Sequence, residues 1–142
     1  MIKEYVCTCI GVVGGCIISL LGGWDSAMKA LITCMVIDYV SGLIVAGIFK
    51  KSPKTDNGAL ESRTGLKGLC RKGMVLFIVM VAHELDVISG TDYVRNAAII
   101  GFISNEAISI LENAGLMGIP LPDVIKKSIE MLNKKGESTY ED

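Results

Sequence analysis

Apolar residues in this chain gather into runs as long as a bilayer is thick. Positions 6–23 hold 18 residues without a charged side chain. As a helix rising 1.5 Å per residue, that run is about 27 Å long, close to the roughly 30 Å of bilayer hydrocarbon. Trp24 follows, where an indole suits the membrane interface. Positions 30–49 form a second run whose only charged side chain is Asp38, ended by Lys50, Lys51, Ser52 and Pro53. A third run, 73–90, begins with ten apolar or small residues and then carries His83, Glu84 and Asp86. A fourth, 94–113, contains Arg95, Asn105, Glu106, Glu112 and Asn113. A charge at mid-bilayer costs about 2.5–3.5 kcal/mol, so the last two runs are expected to insert as a hairpin or with partners.

The pattern predicts an all-α membrane protein. Residues 1–118 form a transmembrane domain of four helices, or of three if the first or fourth run does not cross. A polar, basic loop at 50–72 separates the second run from the third. Within 119–142 an amphipathic helix is expected over 123–135, with Val124, Ile125, Ser128, Ile129 and Leu132 on one face. The polar tail after it is expected to lack structure.

Composition agrees with this reading. Hydrophobic residues make up 51% of the 142 and charged residues 20%, with a mean hydropathy of +0.51. A net charge of −1 and 6% aromatic residues leave no basic field or stacking platform for nucleic acid. The five cysteines are an odd number without paired C-x-x-C spacing, which argues against a disulfide framework or a zinc site. The first run is too long for a signal-peptide core and ends in a poor cleavage site, so it reads as a retained span.

Basic residues set the expected orientation. Of 14, seven lie in 50–72 and four in the C-terminal helix. The positive-inside rule puts both segments in the cytoplasm. Lys50, Lys51, Lys67, Arg71, Lys72, Lys126 and Lys127 are then expected at the membrane surface, where anionic headgroups attract them.

Two kinds of side-chain pattern bear on function. Small residues recur every fourth position in the first run, including Gly11, Gly15 and Ser19, and again at Gly42, Ala46 and Gly101. Such faces let helix backbones approach closely in lipid. Polar residues form candidate seams: Asp38; His83, Glu84 and Asp86; and Asn105, Glu106, Ser109, Glu112 and Asn113. These are expected to face a bundle interior, another subunit or water rather than lipid. A single histidine without a second ligand one turn away gives no case for a metal, and nothing positions a catalytic nucleophile. No enzyme, metal or cofactor is expected.

Three ordered elements make the chain familiar. Asp38, Tyr39 and Gly42 form an Asp-Tyr-x-x-Gly element; Gly65, Leu66, Lys67 and Gly68 form a basic Gly-Leu-Lys-Gly segment; and Glu106, Ser109, Glu112 and Asn113 precede Gly118, Ile119 and Pro120. With these, the chain resembles the toxin-secretion/phage-lysis holin family, phage holin family 4, over roughly positions 22–135. The resemblance implies a phage-encoded protein of the host bacterial cytoplasmic membrane, where the apolar runs and the basic residues make it multi-pass with a cytoplasmic C-terminus. It implies a homo-oligomer that opens holes releasing an endolysin, without needing to touch it, or a toxin. A small ion or proton channel of fixed stoichiometry and an accessory membrane subunit are the competing expectations.

Overall fold

The computed structural model describes residues 1–138, all helix and connecting turns with no strand among them. The helices are α1 (Ile2–Leu20), α2 (Ser26–Ile44), α3 (Ser62–Ser89), α4 (Val94–Leu116) and α5 (Asp123–Ser138); a π-helical turn, Val45–Phe49, prolongs α2. Three helical stretches are long and apolar enough to cross a membrane: Ile2–Leu20, Ser26–Phe49 and Val94–Leu116.

The segment expected to be a loop over 50–72 is only half loop. Helix begins at Ser62, so Arg63, Lys67, Arg71 and Lys72 ride on the first turns of α3. At 28 residues α3 is about 42 Å long, more than hydrocarbon requires, and charges at both its ends dilute its hydropathy. At the C-terminus, α5 runs to Ser138, into the expected polar tail; residues 139–142 of that tail lie outside the described residues.

Polar contacts fix the direction of each helix. Arg95, at the start of α4, donates to the carbonyl of Leu21 just after α1 and to Asp25, the N-cap of α2. Asp86, in the last turn of α3, accepts from the backbone of Val94 and Arg95. One end of the bundle therefore gathers the end of α1, the start of α2, the end of α3 and the start of α4. Helices α2 and α4 run parallel, with α1 and α3 opposed to them.

Helix α4 is the hub, packing against α2, α3 and α5, whereas α2 and α3 touch sparingly. The core is Leu21, Met28, Leu31, Met35, Val79 and Ile99, with Phe102 and Ile103 packed against it. Helix α1 buries none of its residues. It hangs on the bundle through the Leu21 turn, leaving Ile10, Val12, Val13 and Ile17 uncovered by the rest of the chain. Of the apolar face expected on α5, Ile129 is buried while Val124 and Ile125 remain exposed.

Candidate functional site

The charged residues of the apolar helices converge on a cluster inside the bundle. Asp38 comes from α2, Lys72 from α3 and Glu106 from α4. Lys72 Nζ donates to Asp38 Oδ2 at 2.8 Å and also to Glu106 Oε2. The Lys72 side chain is 13% exposed, and those of Asp38 and Glu106 are 11% and 12%. Asn113, two turns along α4, donates from Nδ2 to Ser41 Oγ at 2.8 Å and lies 3.4 Å from Asp38 Oδ1. Ser41 in turn donates to the Asp38 carbonyl at 3.0 Å. No buried side-chain nitrogen or oxygen among the described residues lacks a hydrogen-bond partner.

This arrangement shows how the helices carry these charges. Desolvating an isolated ion costs several kcal/mol, and only close pairing with further hydrogen bonds offsets it. Here one ammonium serves two carboxylates. The cluster has an excess acid, so its formal charge is −1 if both carboxylates are ionised.

The surroundings of the cluster are built for close approach. The Tyr39 ring lies against Gly65 and Gly68: a Cβ at Gly65 would sit 3.4 Å from its hydroxyl oxygen, and one at Gly68 3.8 Å from Cε2. The Tyr39 hydroxyl donates to the Gly65 carbonyl at 3.3 Å. From the cluster a cleft of about 420 Å³ opens toward the loop end of the bundle, past Gly42, Ala46, Thr64 and Lys67 to Ser52 and Lys54.

Several expected roles change. Lys72 is not a membrane-surface cation: the α3 helix starts early and turns it inward, onto the two acids. Asp86 takes the bundle-interior alternative rather than facing water. It is 5% exposed, and its carboxylate accepts from Thr91 Oγ1, Val94 N and Arg95 N at 2.6, 3.0 and 2.8 Å. That caps α4, whose first N–H groups have no partner within their own helix. His83 is half-buried against the Gly22 turn and Glu84 is exposed, so the trio does not act as one group. The stripe through Gly101, Asn105, Ser109 and Asn113 also divides. Gly101 and Asn105 are exposed, Ser109 and Asn113 half-buried, and Glu112 exposed. Four-residue steps advance about 400° around a helix of 3.6 residues per turn, drifting roughly 40° each time, so a long stripe cannot keep to one face.

Gly42 faces Asn113 and Ala46 is buried, whereas Gly11, Gly15 and Ser19 are exposed on α1. Lys50, Lys51, Lys67, Arg71, Lys126 and Lys127 are exposed. Among the described residues, no group of three or more His, Cys, Asp or Glu side chains could hold a metal.

One cluster went unforeseen. Arg95 is buried, and its guanidinium makes a two-pronged contact with Asp25, Nη1 to Oδ2 at 2.7 Å and Nη2 to Oδ1 at 3.2 Å. It also reaches the carbonyls of Leu21 and Gly23. The sequence signal was a lone arginine at a run boundary and a lone aspartate before another.

The three elements that carry the family resemblance thus meet at this site. A family model, the bacteriophage holin family, matches residues 15–134. The chain belongs to the bacteriophage holin family. An uncharacterized protein of Listeria monocytogenes is 38% identical over 117 residues, covering 82% of this chain and 78% of its own. A 14.9 kDa protein of Clostridium perfringens is 35% identical over 118 residues, covering 82% and 83%. A protein of Bacillus phage phi105 named a probable holin is 29% identical over 115 residues, covering 80% and 79%. No solved structure matches the chain significantly. Family membership together with the apolar helices makes this a membrane protein, and the family points away from enzymatic activity.

Proposed function

We propose that copies of this chain associate in the bacterial cytoplasmic membrane and open holes through which an endolysin, or a toxin, leaves the cytoplasm. Beyond the family, the observation that carries this reading is α1. Beyond its first turn it is apolar, it has small residues on one side, and among the described residues it touches only α3, sparingly, and buries none of its own side chains. Lipid covers such a helix in a lone protomer, and a second copy covers it in an assembly. The bundle itself draws Asp38 and Glu106 inward onto Lys72, so a lone protomer keeps these charges paired within itself. Hole formation then requires many copies, with α1 as the joining surface.

Inducible expression alone, and with a cytosolic muralytic enzyme, tests this. Membrane collapse alone and lysis only with the enzyme are the expected results. Ion leakage without enzyme release would favour a small channel, and no effect at all an accessory subunit.

The fold also bears on span number. If α2 and α4 both cross in the same direction, α3 must bring the chain back, which favours four spans with loop 50–61 and α5 in the cytoplasm. Cys70, exposed on α3, is then expected to resist an impermeant thiol reagent in intact cells before lysis. A cysteine placed at Ser26 is expected to react. Labelling of Cys70 from outside would reverse the orientation.

Gly15 gives a test of assembly that leaves the protomer intact. A Cβ there meets nothing within 4 Å, so Gly15→Leu strains no contact within the chain. Crosslinked oligomers are expected to fall severalfold relative to Val13→Leu, which lies on another side of α1. Equal crosslinking ladders for the two variants would remove α1's small-residue face from the mechanism.

A further inference from the structure

The cleft above the charged cluster has a chemistry that hole formation does not use. Helices α2 and α3 touch little, and the space between them, about 420 Å³, reaches from Lys72 out to Lys54. That volume is in the range of small-ligand sites. Three cations line its outer part: Lys54, Lys67 and Arg71. Among the described residues, none of the three makes an ion pair within 4 Å. The acids of the inner part are already engaged. Asp38 and Glu106 are held by Lys72, and Glu61 at the rim accepts from Thr64 Oγ1 at 3.2 Å. Three free cations thus surround a recess whose wall also offers the apolar side chains of Leu43, Val45, Leu60 and Val75.

We propose that this cleft binds an anionic phosphate group, with Lys67 and Arg71 as its main ligands and Lys54 closing over it from the loop. Arginine and lysine donate charge-assisted hydrogen bonds to phosphate oxygens. Basic pockets between membrane helices on the cytoplasmic side fit phospholipid headgroups. The same chemistry accepts free phosphate. The apolar wall, at a bundle end that the basic residues put at the cytoplasmic surface, favours the lipid as source. The inference rests on the cleft and its charges rather than on hole formation, and would stand for a channel of this fold equally.

The full chain, purified in a zwitterionic detergent, is incubated with phosphatidylglycerol, phosphatidylcholine or inorganic phosphate, and bound species are counted by native mass spectrometry. Phosphatidylglycerol is expected to bind about tenfold or more tightly than phosphatidylcholine, whose phosphate its own choline neutralises. Lys67→Gln with Arg71→Gln is expected to remove most of that preference. Lys29→Gln, exposed near the start of α2 at the opposite end of the bundle, is expected to keep it. Free phosphate that binds, or displaces the lipid, with the same dependence on Lys67 and Arg71 would make a soluble anion the ligand of the same site. Equal binding of the two lipids with no binding of phosphate overturns the proposal, and this comparison needs no variant. A Lys67/Arg71 variant of unchanged helical circular dichroism that keeps the full preference also overturns it.

Discussion

Lys72→Leu is expected to be the most damaging single substitution in the cluster, and Asp38→Asn among the mildest. Lys72 holds two carboxylates, on α2 and α4, that are nearly out of contact with solvent. Without the ammonium, two acids face one another in a low-dielectric interior. Removing one partner of a buried ion pair costs about 3–5 kcal/mol, a large part of the roughly 5–15 kcal/mol that holds a domain folded. Asp38→Asn does the opposite. It leaves Lys72 with Glu106, one cation with one anion, while the amide still occupies the space beside Asn113. Asp38→Leu lies between: Asn113 Nδ2 keeps Ser41 Oγ and the backbone carbonyl of residue 38 as acceptors, but Lys72 loses a hydrogen bond that the amide of Asn would in part retain.

Membrane-inserted amount, thermal unfolding in detergent and lysis time at matched membrane level measure these effects together. The triple variant carrying Lys72→Leu, Asp38→Asn and Glu106→Gln removes the charges as a set and is expected to regain insertion. Lys72→Leu at wild-type level and wild-type unfolding temperature would show that the cluster does not hold the bundle. If the triple variant folds but no longer lyses, the charge itself serves the open state. If it also lyses, the cluster is structural alone.

The sequence disclosed Asp38 and Glu106 as residues that need company, because a carboxylate deep in an apolar run is costly alone. It did not disclose their partner. Lys72 stands just ahead of an apolar run among other cations, and sequence position alone makes it a surface residue. Only the early start of α3 at Ser62, hidden by the polar look of 50–72, turns it inward. The helical class and the first, second and fourth apolar helices were legible because length and hydropathy are local properties. The work of Asp86 was not, because capping the start of another helix depends on how two elements meet. The parallel course of α2 and α4 follows from the four-run pattern, but their direct packing, with α3 set to one side, required the structure.

Arg95→Leu is expected to have the second-largest effect, at the opposite end of the bundle. Arg95 is a single side chain that ties three elements: it hydrogen-bonds the carbonyls of Leu21 and Gly23 after α1, grips Asp25 at the start of α2, and is itself part of α4. Hydrogen bonds to charged groups contribute about 1.5–3 kcal/mol each, so losing the set is expected to cost about 3 kcal/mol or more. Arg95→Lys should recover only part, because a single ammonium cannot reproduce the two-pronged contact. Gly22→Ala attacks the same joint from the other side. Gly22 has φ +83°, and an added Cβ would lie 2.6 Å from Arg95 Nε and 2.8 Å from His83 Nδ1. The two substitutions are therefore expected to be non-additive, the alanine costing less once Arg95 is gone. Asp25→Asn should cost less than Arg95→Leu: the Arg95 side chain is only 7% exposed, but that of Asp25 is 49% exposed, so water and the amide oxygen replace part of what the guanidinium loses. It carries a pH signature nonetheless. The hydrogen bond from Arg95 is the main cause that holds the Asp25 carboxyl below its ordinary value of 3.8. A lowered folded-state value makes the contribution complete above the ordinary one and lost as pH falls through the lowered one. The stability gap between wild type and Asp25→Asn should thus be constant near neutrality and close in acid. A gap that persists unchanged at the lowest pH, or Arg95→Leu unfolding at the wild-type temperature, would show that this joint does not hold α1 and α2 to α4.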